Sequence, residues 1–172
     1  TLFLKEELNS RFNIVYEDDN IFVINKYAGI EVVGENSLEQ KLNSYAVHRL
    51  DRNTKGLLVM AKNLVAKEEL QNAFKQNNVV KKYLCEVVGA TSFNNTLIKN
   101  YLFKDAKLSM VYIYDTPKPH TQEIKTIFTT LKSSAQTSVI ECTLITGKTH
   151  QIRAQLAHLN HAILGDGKYG KT

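Results

Sequence analysis

The chain has 172 residues, 43% apolar and 23% charged, enough for one domain with a sizeable core and the composition of a soluble globular protein. No apolar run approaches the roughly 18 residues of a membrane span, and no charged-then-apolar leader opens the chain. The net charge of +5 is uneven: residues 1–40 hold 3 basic and 8 acidic side chains, residues 41–82 hold 9 and 3, and the remainder carries +4. A basic middle suits a polyanionic partner, nucleic acid first, although lysines that merely solvate exposed faces explain the same excess.

In chain order, "FNIVYEDDNIFVINK" predicts a hairpin, with strands at Phe12–Tyr16 and Ile21–Asn25 joined by an acidic turn at Glu17–Asn20. "GLLVMAK", after Gly56, reads as a short buried strand. From Asn63 to Asn77 the period becomes helical, with Ala66, Leu70, Ala73, Phe74 and Asn77 on one face. "VVKKYLCEVVG" alternates over Val79–Val87 and stops at Gly89. Strand-like runs follow near Ser109–Tyr114, Gln122–Leu131 and Gln136–Thr146, and Pro117 and Pro119 break the chain between the first two. Thr149–Asn160 is helical by spacing, with an apolar stripe of Ile152, Leu156 and Leu159 and a polar face of His150, Arg153, Ala157 and Asn160. Many strands with few helices predict an α+β fold around a mixed, largely antiparallel sheet, flanked by helices and loops.

Cys85 and Cys142 sit at alternating positions of strand-like runs and read as buried free thiols, which suits a reducing cytosolic location. Gly147-Lys148-Thr149 has the ending of a phosphate-binding P-loop. The early glycine that such a loop needs falls on Cys142, and a strand runs up to Gly147, so the nucleotide reading fails. Gly147 is instead expected to make the turn into the last helix. His150, His158 and His161 match no usual zinc spacing and have no CxxC beside them, so no metal is expected. No G-x-S-x-G context supports a serine nucleophile.

The densest chemical cluster is "VHRLDRNTKGLL". Its one carboxylate, Asp51, lies between Arg49 and Arg52, cations that favour its ionised form. That suits nucleophilic or electrostatic work better than proton donation, while an ordinary Asp–Arg structural pair fits the same spacing.

Three blocks in order, "HRLDRNTKGLLVMAK", "KKYLCEVVG" and "LITGKTHQIRAQLAHLNHAILGDGKYG", resemble the motifs of the RluA-type pseudouridine synthases, and the likeness extends upstream to "YEDDNIFVINKYAG". Histidine before R-L-D and the T-H-Q-I-R run fit this type better than the RsuA type. Tyr27 stands where the family usually has proline, Lys55 where it has serine, and Lys148 where arginine is commoner. Family members usually continue beyond the last block. The expectation is therefore a single catalytic domain over 1–172, truncated at one or both ends or a minimal version.

The resemblance implies an enzyme that isomerises uridine in RNA, ribosomal or transfer, without cofactor or metal. Asp51 would be the catalytic carboxylate, attacking C1′ or deprotonating the sugar. Tyr83 would stack on the base and help remove the C5 proton, although a phenol of ordinary pKa, about 10, is a weak base. Arg153 would hold Asp51 ionised and oriented by a charge-assisted bond. Arg49, Arg52, Lys81, Lys82, Lys148 and His150 would contact the RNA, with the stretch from Lys41 to Lys82 as the phosphate track. A cytoplasmic monomer with RNA as its partner and no membrane is expected. The competing reading is a non-catalytic RNA-binding or RNA-folding module on the same scaffold.

Overall fold

The structure, a computed structural model, describes residues 11–170. They divide into two compact units, with the boundary between Val79 and Val80.

In the first unit, β1 (Phe12–Glu17) and β2 (Ile21–Lys26) form the expected hairpin, with a register shift between Ile14 and Tyr16. Asp18 closes the turn: its Oδ1 accepts from the N–H groups of Asn20 and Ile21 at 2.7 and 2.8 Å, the local bonding that favours aspartate in turns. Those bonds, Asn20's first, hold its carboxyl below the ordinary value. β3 (Tyr45–Ala46) and β4 (Gly56–Ala61) complete an antiparallel sheet of order β1-β2-β4-β3. Phe22, Ile24, Leu58 and Met60 are buried on its strands.

A short helix, α1 (Leu38–Leu42), precedes β3, and α2 (Leu64–Lys75) follows β4. The Asn63 side chain caps α2 by accepting from the Ala66 N–H at 2.9 Å. Asn77, at φ 56°, turns the chain out just beyond the helix end, a left-handed position that asparagine tolerates. The predicted face is the packed one: Ala66, Leu70 and Phe74 meet Val47 and Ala61.

The second unit holds β5 (Lys81–Val88), β6 (Thr96–Asp105), β7 (Met110–Tyr114), β8 (Gln122–Ser133) and β9 (Thr137–Leu144), in the order β5-β9-β8-β6-β7. All the described strand pairs are antiparallel, so the α+β expectation holds. Sequence patterning leaves β6 unassigned, and the reason is Asn100. A polar residue stands at an inward position, 3% exposed, where alternation calls for an apolar one.

α3 (Gln151–His158) is shorter than the predicted 149–160, and its most buried face is not the apolar stripe. Gln151, Ala154, Gln155 and Leu156 are buried, while Ile152 and Leu159 pack only in part against the core of Val87, Phe128, Ile140 and Cys142. Both glutamines are saturated. Gln155 donates to Asn100 Oδ1 at 2.8 Å and accepts from the Thr126 hydroxyl at 2.7 Å. Gln151 donates to the Lys125 carbonyl at 3.1 Å and to Thr126 Oγ1 at 2.9 Å, and its Oε1 accepts from the Lys148 N–H at 3.0 Å. The helix is fastened to β6 and β8 by polar groups that would each cost about 1–3 kcal/mol if left unpaired. Gly147 does not make the turn into α3. It is absent from the left-handed region, and His150, at φ 53°, occupies that region instead. The two thiols are free, with Cys142 buried and its Sγ 3.6 Å from that of Cys85. Its hydrogen bond with Cys85, and then burial, push the Cys142 thiol up.

Candidate active site

In the first unit the site is built on the loop between β3 and β4. His48 is structural here: its Nε2 accepts from the Val59 N–H at 3.0 Å, and its ring stacks on Phe74 at 4.3 Å. Leu50 is buried and Asp51 half-buried, while Arg49 and Arg52 are exposed. The Asp51 carbonyl accepts from the Thr54 N–H at 2.9 Å, which makes Asp51–Thr54 a tight turn.

Beneath this turn lies Lys26, fully buried at 0% exposure. Its Nζ donates to the carbonyls of Arg52 and Thr54, both at 2.9 Å, and of Tyr27 at 3.0 Å. An ammonium has three donors, and each has a carbonyl. A buried lysine without such partners would give up its charge. Burial does push its pKa down, while the negative charges of Glu31 and Asp51 pull it back up. A further pair of bonds ties the turn to the β2 exit: Gly29 N–H to the Arg52 carbonyl at 2.8 Å, and Arg52 Nε to the Gly29 carbonyl at 3.4 Å. The backbone just after Asp51 is therefore held by one inward-facing lysine, with Gly29 as a second support.

In the second unit, Tyr83 lies on β5 opposite Cys142 of β9 and packs partly into the core. Arg153, near the start of α3, meets a carboxylate side-on: Nε donates to Asp166 Oδ2 at 2.7 Å and Nη2 to Oδ1 at 2.9 Å. Asp166 Oδ1 also accepts from the backbone N–H groups of Lys168 and Tyr169, at 2.9 and 3.2 Å. Its side chain is only 4% exposed. The Arg153 guanidinium, and then the two N–H groups, hold its carboxyl down at about 2 against the opposing effect of burial. The Tyr169 ring lies under Arg153, 5.2 Å from centroid to guanidinium carbon. Its hydroxyl is 2.7 Å from His150 Nδ1 and accepts from the Val111 N–H at 3.2 Å. Arg153, His150, Asp166 and Tyr169 thus form one network that fixes the plane of the guanidinium.

The remaining expected RNA contacts differ in state. Lys82 is paired with Glu141 at 2.9 Å. The Lys81 ammonium lies against Gly147, so close that a Cβ there would meet Nζ at 2.9 Å. Lys148 is exposed beside it and makes no ion pair among the described residues. The histidines weighed as metal ligands go separate ways: His158 to Asp115 at 2.8 Å, His161 to the Val88 carbonyl at 3.0 Å, and His150 to Tyr169.

Sequence reasoning assigns no role to Lys26, Asp166 or Tyr169. Lys26 has a legible signal, because it continues the inward alternation of Phe22 and Ile24. Asp166 and Tyr169 stand in "GDGKYG", where neither periodicity nor charge marks them.

The RNA pseudouridylate synthase family model matches residues 20–158. The chain is 32% identical over 169 residues to ribosomal large subunit pseudouridine synthase C of Vibrio cholerae, covering 91% of this chain and 52% of that protein. It is 35% identical over 170 residues to the Rickettsia conorii protein of the same name, covering 91% and 56%. It therefore spans about half the length of the curated relatives it matches. The solved structure of human RNA pseudouridylate synthase domain containing 1 shares the fold, with a TM-score of 0.83 at 24% identity over 94% of this chain and 70% of that one. Human domain containing 4 gives 0.79 at 25% identity, over 99% and 72%. With a model match across most of its length and its motifs seated on these elements, the chain belongs to the RNA pseudouridylate synthase family.

Proposed function

We propose that the chain isomerises uridines in RNA to pseudouridine, with large-subunit ribosomal RNA as substrate. The names of the Vibrio and Rickettsia relatives favour that RNA over transfer RNA. In this reaction the N1–C1′ bond breaks, the base turns, and C5 bonds to C1′. The C5 proton leaves and N1 gains one, so nothing is oxidised or transferred. Asp51 is the carboxylate that acts on the sugar, at C1′ or by removing a proton. Tyr83 stacks on the uracil and assists departure of the C5 proton, and Arg153 supplies the cation that keeps the reacting carboxylate ionised. The uridine must leave its stack to react, at a cost of a few kcal/mol, which phosphate contacts elsewhere on the RNA offset.

The observation that carries this reading is the clamp on the Asp51 turn by a fully buried lysine through the Arg52 and Thr54 carbonyls. A merely structural Asp–Arg pair on a loop does not call for a buried charge beneath its backbone, whereas a reacting carboxylate must be held in one position. A cytosolic location fits the two free thiols and such a substrate, and no helix among the described residues is long and apolar enough to cross a membrane. We take the working form to be a monomer.

The test uses RNA carrying 5-tritiated uridine, from which isomerisation releases tritium. The wild-type chain should release it, and Asp51→Asn should fall to background while binding RNA as tightly as wild type. Absence of release from ribosomal and transfer RNA alike would leave only the binding-module reading.

A further inference from the structure

A second cluster of cations lies on the sheet of the second unit. A cavity of about 280 Å³ is lined by Leu102, Lys104, His120, Gln122, Lys148 and Thr149, with Phe103 beside them. Its floor is the buried Leu102, and around it stand side chains that can all donate hydrogen bonds: two ammonium groups, an imidazole, an amide and a hydroxyl. No carboxylate lines it. Strand alternation explains why. Leu102 and Lys104 of β6 and Gln122 of β8 share the face that carries α3, whereas Glu123 points to the opposite face and is spent on Lys99 and Lys125, at 2.7 and 2.8 Å. Asp105 turns its carboxylate to the N–H groups of Lys107 and Leu108. Neither Lys104, His120 nor Lys148 forms an ion pair among the described residues.

The walls are also fixed. His120 sits at φ 64°, in a turn where the Thr121 hydroxyl accepts from the Lys118 N–H at 3.0 Å and donates to the Lys118 carbonyl at 2.6 Å. On the other side, the Lys148 N–H is held by Gln151. The strand registers put the cavity at the end of the sheet where β8 begins and β9 ends, with Tyr83 further along: Gln122 faces Leu102, Leu144 faces Thr126, and Tyr83 faces Cys142, which faces Phe128. Lys81, against Gly147, continues the positive charge along that end.

We infer that this cavity is a phosphodiester site for the RNA substrate, with Lys104, His120 and Lys148 binding one backbone phosphate and Lys81 extending the track. The inference rests on the isomerase reading for its ligand, and it moves the expected phosphate track from residues 41–82 onto the second unit. A contact of this kind fixes register and adds no sequence preference.

The experiment measures binding of a fluorescein-labelled RNA hairpin by anisotropy across a salt series. Lys104→Ala should weaken binding about fivefold at low salt and reduce the log–log salt slope by about one, for hairpins of unrelated loop sequence alike. Lys104→Arg should restore the slope. Lys118→Ala, which removes an equal charge from the same loop as His120 but outside the cavity, should leave it unchanged. Equal losses for Lys104→Ala and Lys118→Ala would reduce the effect to general charge and overturn the site. So would inorganic phosphate that binds in a Lys104-dependent way by calorimetry yet leaves the hairpin in place, which would mark a free-anion pocket. The two readings fail separately. Tritium release with a Lys104→Ala chain that binds like wild type at every salt concentration overturns the site alone, and Lys104-dependent binding without release overturns the isomerase reading alone.

Discussion

The two units hold their principal candidate residues by opposite electrostatics. In the first, the presented group is an anion, Asp51, on a short turn, and its anchor is a buried cation. Lys26 grips the turn's backbone and leaves the side chain to other work. In the second, the presented group is a cation, Arg153, on a helix whose backbone is already bonded, and its anchor is a buried anion that grips the side chain itself. The difference follows from the secondary structure. A turn exposes carbonyls that a lysine can collect, whereas a helix has none to spare in mid-course, so only a carboxylate aimed at the guanidinium can fix it.

If that contrast is right, the two anchors differ in how much fails with them. Lys26→Met leaves the Tyr27 and Thr54 carbonyls without their donor, deprives the Arg52 carbonyl of one of two, and removes a buried charge, and the expected loss is about 3–5 kcal/mol of folding free energy. Urea unfolding of the variant measures it, and tritium release should fall even at temperatures where the variant remains folded. A loss below that of the Asp166 variant considered next would reverse the ranking.

Asp166→Asn removes one ionic acceptor but keeps an amide oxygen for the Lys168 and Tyr169 N–H groups, so about 1.5–3 kcal/mol is expected. The pH dependence separates it from a packing effect. The native carboxyl titrates at about 2, below the roughly 3.9 of an unfolded aspartate. Its contribution is therefore fully present above about pH 4 and is lost as pH falls through the native value. Acid titration of unfolding should show the wild type losing stability through that window and the variant losing less. Equal curves would detach Asp166's ionisation from the stability of the second unit.

The contrast also shows which parts were legible. The hairpin, β4, α2, β5 and the last three strands follow from alternation and a 3.6-residue period, because most of their buried positions are apolar. β6 and the buried face of α3 escaped the same reading, because Asn100, Gln151 and Gln155 are buried polar residues satisfied by one another and by Thr126. Such a network is invisible to a hydrophobic pattern and appears only when the strands are side by side. Asp51, Tyr83 and Arg153 are singled out by a resemblance alone, which points to neither Lys26 nor Asp166. A carbonyl-binding lysine and a carboxylate in a glycine-rich turn act through contacts 28 and 13 residues away.

The smallest effect is expected where the sequence looked most suggestive. Gly147, the glycine of the apparent phosphate loop, is outside the left-handed region, and a Cβ placed on it would meet only the Lys81 ammonium within 4 Å. That group ends a flexible chain and can move aside. Gly170 is the opposite case: a Cβ there would run into the Asp166 carbonyl, which is held by the Gly170 N–H at 2.8 Å. Gly147→Ala should therefore change stability by less than about 0.5 kcal/mol, the range of a surface substitution, and leave tritium release intact, as thermal unfolding and the same assay would show. A loss above about 1 kcal/mol would mean that the residue at 147 is needed for the backbone of the loop. The short glycine-lysine-threonine run would then have to be credited with shaping the entry to α3, a role that at present belongs to His150.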